Sequence, residues 1–368
     1  MSPGLIIALV AVLATSACTL AGIFLVLRRM AMMADAISHA ILPGLVAGYV
    51  LARGPNMLGA FLGAAVAGLL TVALVETLTR SRRVKEDSAM GIVFPALFAL
   101  GVFVVSKYFA NVHIDTDAVL FGEIALAPFD TLEIGGRSYG AQSLWVLGGL
   151  TILNALFLFV FYKELKLSTF DPELAAALGF LPGVLHYTLM GLISMTTVGA
   201  FTAVGAILAV ALIIVPPVTA SLLTRRLPYL IGLSLLVGTI AALSGYQFAM
   251  LWKVSISGMI ATMLGVVFGI TLLAAPQQGM VAQAVRRRRQ KRRFATEVLV
   301  VHLATHEGTD SEEAESRVSH LETDLHWSTE KVRQIVIGAS ELGLISQNQD
   351  HLELTEQGRL LAQTVAAR

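Results

Sequence analysis

The sequence predicts an all-α polytopic membrane protein of about eight or nine transmembrane helices, followed by a small cytoplasmic α+β domain. Hydrophobic residues make up 56% of the 368-residue chain and charged residues only 14%, well below the roughly 25% typical of soluble domains. Residues 1–293 carry a net charge of +9 (21 Lys and Arg, 12 Asp and Glu), and residues 294–368 carry −8 (5 against 13). This division predicts a membrane domain at 1–278, a basic juxtamembrane linker at 279–293 and an acidic domain at 294–368.

Nine apolar windows are long enough to cross the ~30 Å hydrocarbon core of a bilayer as helices. Their polar connections alternate in charge, since one set carries 17 Lys and Arg residues and the other set carries four. Because positively charged loops stay on the cytoplasmic side, the N-terminus is predicted outside and the C-terminal domain in the cytoplasm. The first window has no basic segment before it, which favours a retained helix over a cleaved signal peptide. The windows are residues 4–27, 34–52, 57–78, 88–106, 144–162, 178–196, 199–223, 229–249 and 255–275.

A carboxylate and an imidazole lie within the second window. Asp35 and His39 are four residues apart, so they share one face of a helix. Ionisable side chains in a membrane span are costly and usually face a bundle interior or an ion pathway. One oxygen donor and one nitrogen donor on the same face suit a divalent transition metal. The alternative is a structural pair whose members satisfy only each other, and the chemistry alone leaves both interpretations open.

Three further features interrupt the apolar windows. Pro216-Pro217 removes two backbone donors late in one window, which predicts a kink or break in that helix. His186 is expected to be a core histidine that bonds a neighbouring carbonyl, and the alternative is a second metal or proton site. Glu76 lies near the inner end of the third window and is expected to reach water.

The longest external loop, at about 107–143, is acidic. His113, Asp115, Asp117 and Glu123 occur within it, and acidic groups at an entrance raise the local concentration of cations. These four residues are candidates for a metal entrance. The alternative is an ordinary solvated loop.

The internal loop after the fifth window contains start and stop signals for a short helix. Asp171 suits the N-cap, Pro172 the first helical position and Glu173 the positive end of the dipole. Gly179 is suited to end the helix. A short helix between two spans is either a contact for a soluble partner or a connector.

Residues 5–275 resemble the permease subunits of manganese, zinc and iron ABC importers, whose short motifs occur here in the same order. Residues 28–44 resemble the family's Arg-rich, Asp-x-x-x-His, Leu-Pro-Gly signature, and residues 85–92 its Glu-Asp-Thr/Ser-Ala-Ile-Gly stretch. Residues 171–179 are similar to the helix that docks on the ATPase, and residues 204–217 to the Val-Gly-x-Leu-Leu…Pro-Ala helix. Residues 115–124 resemble the manganese branch in particular.

The resemblance implies that Asp35 and His39 form an intramembrane site for transported Mn²⁺, with Zn²⁺ and Fe²⁺ as the alternatives, and that no cofactor is permanently bound. It implies three partners in the plasma (inner) membrane system of a prokaryote: an ABC ATPase subunit, an extracytoplasmic metal-binding protein and a second permease subunit. The sequence contains no Gly-x-x-x-x-Gly-Lys-Ser/Thr phosphate loop, so ATP is expected to be bound by the partner and this chain is expected not to be an enzyme. One departure is that residues 253–258 lack the Asp and Pro of the family's turn before its last span.

Residues 294–368 are predicted to fold as a small domain. Apolar periodicity and turn signals predict helices at 294–304, 316–325 and 328–343, strands at 344–346 and 351–355, and a last helix from 356. This order resembles a winged helix, similar to the N-terminal domain of iron-dependent repressors. Because the net charge of −8 would repel phosphates, nucleic acid is not the expected partner.

Five of the chain's eight histidines lie in this acidic domain. His302 and His306 are four residues apart, with Glu307 beside the second, and the three are candidates for cytoplasmic metal sensing. Protein–protein contact, through dimerisation or ATPase docking, is the other expectation. A membrane-tethered, metal-responsive transcription regulator is the alternative from a different class of function, which the acidic tail disfavours.

Overall fold

The computed structural model describes residues 2–51, 57–81, 83–108, 124–134, 137–276, 278–309 and 311–367. The chain divides into two units, Met1–Gln278 and Gly279–Arg368. The candidate entrance residues His113, Asp115, Asp117 and Glu123 lie outside the described residues.

The first unit is built almost entirely from helices. A short antiparallel hairpin, β1 (Thr131–Ile134) and β2 (Arg137–Ala141), pairs Thr131 with Ala141 and Ile134 with Arg137. In chain order the helices are α1 (Pro3–Leu27), α2 (Ala31–Ala40), α3 (Leu42–Leu51), α4 (Met57–Arg80), α5 (Glu86–Tyr108), α6 (Gln142–Val160), α7 (Tyr162–Phe170), α8 (Pro172–Ala177), α9 (Pro182–Val204), α10 (Ala206–Leu223), α11 (Leu227–Trp252) and α12 (Ile256–Ala274).

Eight of these helices are long and apolar enough to cross a membrane, among the residues that the structure describes. The bent pair α2 and α3 is a ninth candidate, in which two ten-residue helices meet at an angle of 42°. The prediction of eight or nine spans is therefore confirmed. One predicted boundary moves, because α9 ends at Gly205, whose φ of +84° suits a residue without a side chain.

Helix α1 lies at the centre of the first unit. It packs against α6, α9, α10 and α11, and its Ile23, Phe24 and Leu25 side chains are fully buried. A helix that is apolar on every side is expected at such a buried position. The outer spans instead leave large apolar side chains exposed, as lipid-facing helices do.

Of the kink or break predicted at Pro216-Pro217, the break does not occur, because α10 continues through both prolines to Leu223. Each proline still lacks the donor that would bond the carbonyl four residues earlier, so the carbonyls of Leu212 and Ile213 are left without their helical partners. In a membrane span, neighbouring helices satisfy such groups.

Helix α1 lies against both carbonyls and supplies a donor to one of them. The hydroxyl of Thr19 donates to the carbonyl oxygen of Leu212 at 3.3 Å. One turn further along α1, the backbone of Gly22 lies against the carbonyl of Ile213 so closely that a Cβ atom at this position would overlap it. The two residues form a close seam between α1 and α10, which we call the Gly22 seam.

The second unit combines helices with one hairpin. Strands β3 (Ile345–Asn348) and β4 (His351–Leu354) pair in antiparallel register, with Ile345 opposite Leu354. Its helices are α13 (Met280–His306), α14 (Glu312–Glu315), α15 (Val318–Asp324), α16 (Thr329–Glu341) and α17 (Glu356–Ala366). The core includes Leu299 and Leu303 of α13 and Val332 and Ile335 of α16.

The second unit differs from its prediction in two places. Helix α13 begins at Met280, so the basic run predicted as a separate linker is the first half of this helix. The four-residue helix α14 is additional to the predicted elements. The predicted strand, turn and strand are present, and the winged-helix assignment itself stays a prediction.

Candidate functional site

Helix α2 places Asp35 and His39 together. The Nε2 atom of His39 lies 3.5 Å from Oδ1 of Asp35, and the two side chains remain 41% and 40% exposed, respectively. The hydroxyl of the intervening Ser38 donates to the backbone carbonyl of Asp35 at 2.6 Å. The pair therefore presents one nitrogen donor and one oxygen donor, and the rest of this chain leaves both side chains partly exposed.

Aromatic rings of α5 border the imidazole. The ring of Phe94 lies 5.6 Å from the ring of His39, and the ring of Phe98 meets it edge-on at 6.3 Å. These contacts fix the orientation of the imidazole on an otherwise apolar helix face, which is what a ligand residue needs from its surroundings.

The bend directly after this pair has two local causes. Pro43 has no N–H to offer the carbonyl of His39, so the helical ladder is interrupted there. Gly44 and Gly63 then bring the backbones of α3 and α4 into contact, and a Cβ atom on either glycine would overlap the other's carbonyl. Small residues allow such close approach between membrane helices. The bend holds the donor pair at the end of α2, next to an interruption in the span.

The short helix predicted after the fifth span is confirmed as α8. Oδ1 of Asp171 accepts from the backbone N–H of Leu174 at 2.9 Å, and Pro172 is the first helical residue. At the other end, Gly179 has a φ of +85° and donates to the carbonyl of Ala176, which is the Schellman type of helix ending.

Helix α8 and its flanks carry an exposed apolar surface, which we call the α8 patch. Four large apolar side chains are between 46% and 67% exposed: Phe170, Leu174, Leu178 and Leu181. Leu174 lies within α8, whereas Phe170 ends α7 and Leu178 follows the last residue of α8. Contiguous exposed apolar groups mark an interaction surface.

Arg28 forms a polar cluster that the sequence did not reveal. At the end of α1, its Nε donates to the hydroxyl of Thr169 at 3.1 Å and its Nη2 donates to the hydroxyl of Ser168 at 3.0 Å. Its Nη1 lies 3.1 Å from Nδ1 of His186. Burial lowers the pKa of Arg28, although a guanidinium remains charged in proteins. Arg28 thus ties α1 to α7, the helix directly before α8, and to α9.

His186 and Glu76 extend this cluster to α4. Nε2 of His186 lies 3.1 Å from Oε1 of Glu76, and the hydroxyl of Tyr187 donates to Oε2 at 2.8 Å. Because Nδ1 of His186 faces an arginine donor, this nitrogen is the acceptor and Nε2 carries the hydrogen. The expectation that His186 bonds a neighbouring carbonyl is therefore wrong, and Glu76 is paired rather than directed to water alone.

Replacing Arg28 with methionine is expected to lower the free energy of unfolding by about 2–3 kcal/mol, because Ser168, Thr169 and His186 would lose the charged donor that they share. The melting temperature of the purified protein should fall by roughly 5–10 °C. Arg29→Met is the matched control, since the neighbouring Arg29 is exposed. Equal melting temperatures for the two variants would contradict a structural role for the cluster.

Of the three residues singled out in the second unit, His302 and His306 lie together, whereas Glu307 is engaged elsewhere. Glu307 pairs with Arg359 of α17, with Nη2 of the arginine 2.7 Å from Oε1. This hydrogen-bonded carboxylate raises the pKa of Arg359. His302 instead faces Glu315 of α14, with Nε2 3.5 Å from Oε2. Glu315 is thus the carboxylate nearest His302, and sequence proximity alone did not point to it.

These features define a multi-pass α-helical membrane permease. Residues 3–275 match the model of the ABC 3 transport family, and the chain belongs to this family. It is 43% identical over 357 residues to the zinc transport system membrane protein TroD of Treponema pallidum, covering 97% of each chain. It is 46% identical over 275 residues to the manganese transport system membrane protein MntD of Bacillus subtilis, covering 75% of this chain and 93% of that protein.

A solved structure has the same fold. The chain resembles PsaBC from Streptococcus pneumoniae in complex with Fab, with a TM-score of 0.62 and 29% identity over 74% of this chain and 92% of that one. The match to TroD is longer than the match to this structure. It covers 97% of both chains and therefore includes the second unit as well.

Proposed function

We propose that this chain is the membrane-spanning permease subunit of an ATP-driven importer of a divalent transition metal, with Mn²⁺ as its substrate. The observation that supports this most directly is the Asp35–His39 pair, a mixed oxygen and nitrogen donor set in a bent span. Relatives named for manganese and zinc transport support the same substrate class.

The donor pair needs further ligands to bind an ion. Two donors 3.5 Å apart, each side chain about two fifths exposed, leave most coordination positions of a divalent metal open. A second permease subunit, identical or homologous, supplies the other half of the site across a shared path. Ligands divided between two subunits allow transient binding, because a relative movement of the subunits separates them.

Energy enters through a separate ATPase that docks on the α8 patch. The capped helix gives this patch a fixed shape, and α7 leads from it to Arg28, which bonds Ser168 and Thr169. A displacement of α8 by the ATPase is therefore passed to α1, α4 and α9 through the polar cluster.

The N-terminus lies outside and the second unit in the cytoplasm of a prokaryotic cell. An extracytoplasmic binding protein delivers the metal to the external loop that carries His113, Asp115, Asp117 and Glu123.

Leu174→Asp is expected to prevent the ATPase subunit from co-purifying with this chain, because a charge in an apolar interface must be desolvated without a partner. Leu360→Asp is the matched control, since Leu360 is 65% exposed on α17 of the second unit. If only Leu360→Asp prevents the ATPase from co-purifying, the docking surface lies on the second unit instead.

Zinc is the second candidate substrate, because the relative that matches both units is named for zinc transport. Elemental mass spectrometry of cells that express the chain with its ATPase and binding protein distinguishes the metals under competing Mn²⁺, Zn²⁺ and Fe²⁺. Selective gain of Mn²⁺ is expected. Selective gain of Zn²⁺ or Fe²⁺ would identify that ion as the substrate in place of Mn²⁺. No gain of any metal would overturn the proposed function.

A further inference from the structure

Two histidines of the second unit lie one turn apart at the end of α13. The rings of His302 and His306 have centroids 5.0 Å apart, and both side chains are half-buried. Imidazoles at positions i and i+4 of a helix present two nitrogen donors to the same side.

A tight turn then brings a carboxylate back to these histidines. Gly308, with a φ of +77°, donates its N–H to Oε2 of Glu312 at 2.7 Å. The hydroxyl of Thr309 donates to the carbonyl of His306 at 2.7 Å. This turn reverses the chain, so Glu315 at the end of α14 reaches the side of α13 that carries the histidines.

From this geometry we infer that His302, His306 and Glu315 form a binding site for a divalent first-row transition metal ion. The candidate ligand atoms of the three residues all lie within 4.8 Å of one another. A tetrahedral site with bonds of about 2.0–2.1 Å has ligand atoms about 3.3 Å apart. Nε2 of His302 is 3.5 Å from Oε2 of Glu315, so this pair already has nearly the separation of two ligands of one ion.

The donor types narrow the class of ion. Two imidazoles and one carboxylate suit Zn²⁺, Mn²⁺, Fe²⁺ or Co²⁺, whereas Ca²⁺ and Mg²⁺ prefer oxygen ligands alone. Three protein ligands leave at least one position open for water or for a ligand from elsewhere.

His320 of α15 supports the carboxylate from outside. Its Nδ1 lies 3.2 Å from the same Oε2 of Glu315, and polar groups beside a ligand carboxylate help to orient it. The side chains of His302 and Glu315 are only 9% and 19% exposed. A cation beside a carboxylate with this little exposure is favourable.

The site is tested on the full chain, purified in lipid nanodiscs and carrying Asp35→Ala and His39→Ala. These background changes remove the intramembrane pair, so the outcome does not depend on the proposed transport function. Co²⁺ is the probe because its visible absorption reports the number and type of its ligands. We expect one Co²⁺ per chain, with intense bands of a four- or five-coordinate site.

Adding His306→Gln or Glu315→Gln is expected to weaken Co²⁺ binding by about 100-fold or more, and His320→Asn by about 10-fold. His326→Asn is the control, because His326 is exposed outside the cluster and its φ of +50° suits asparagine. Circular dichroism is used to check that each variant keeps its helices. Absence of bound Co²⁺ in the background chain would overturn the inference, as would binding that Glu315→Gln and His306→Gln leave unchanged. Either result would assign the cluster a structural role that does not involve a metal ion.

Discussion

Cells that express Asp35→Ala or His39→Ala, together with the ATPase and the binding protein, are expected to lose selective metal accumulation. Each change removes one of the two donors that α2 offers. Altering residues that merely orient ligands costs 10–100-fold in metal affinity, so loss of a ligand is expected to weaken binding by at least about 100-fold and to reduce accumulation to the level of cells without the transporter. Elemental mass spectrometry under competing Mn²⁺, Zn²⁺ and Fe²⁺ provides the measurement.

The control for these variants is Met32→Ala, since Met32 is an exposed residue on the same helix. It should accumulate metal like the unchanged protein at an equal protein level. If accumulation survives both Asp35→Ala and His39→Ala while the melting temperature falls, the pair is structural and the path for the ion lies elsewhere. Asp35→Asn preserves the size of the side chain and removes its charge, so it tests whether the carboxylate itself is needed.

Gly22→Val is expected to destabilise the first unit by about 3 kcal/mol, which is the upper part of the range for overpacking. Any side chain at this position would overlap the backbone carbonyl of Ile213, and a backbone atom in α10 has little room to move. The melting temperature and the yield of folded protein in detergent should both fall.

Gly265→Val is the matched control for this change. Gly265 lies within α12, and a Cβ atom there would meet no atom within 4 Å. Both variants carry the same change in helix propensity, so the difference between them isolates the Gly22 seam. Equal melting temperatures would show that α1 and α10 do not depend on this close approach.

Features set by local spacing could be predicted from the sequence. Asp35 and His39 share a face because they are four residues apart, and the cap at Asp171 depends on a backbone donor three residues away. The polar cluster could not be predicted in this way, because Arg28 and His186 are 158 residues apart. One general rule could have indicated the cluster. Ionisable groups in or beside a membrane span are normally paired, and Arg28, Glu76 and His186 are three such groups.

Two differences from the sequence predictions share a physical cause, which is that a residue contacts a partner distant in the sequence. Pro216-Pro217 does not break α10, because α1 accommodates the carbonyls that the prolines leave without helical partners. Glu307, adjacent to His306, pairs instead with Arg359, while the turn after α13 brings in Glu315. Periodicity predicts which face a residue occupies, but it does not predict which segment that face meets.

The continuity of α13 has a consequence for building chimeric transporters. Its 27 residues, Met280–His306, form a rod about 40 Å long that carries both the basic run and the two histidines. Charge composition places a junction at 293–294, but a cut there divides the rod near its middle and removes the turns that orient His302 and His306. A second unit grafted onto a shorter relative should therefore be joined at 278–279, where the two units divide, so that the helix is transferred whole.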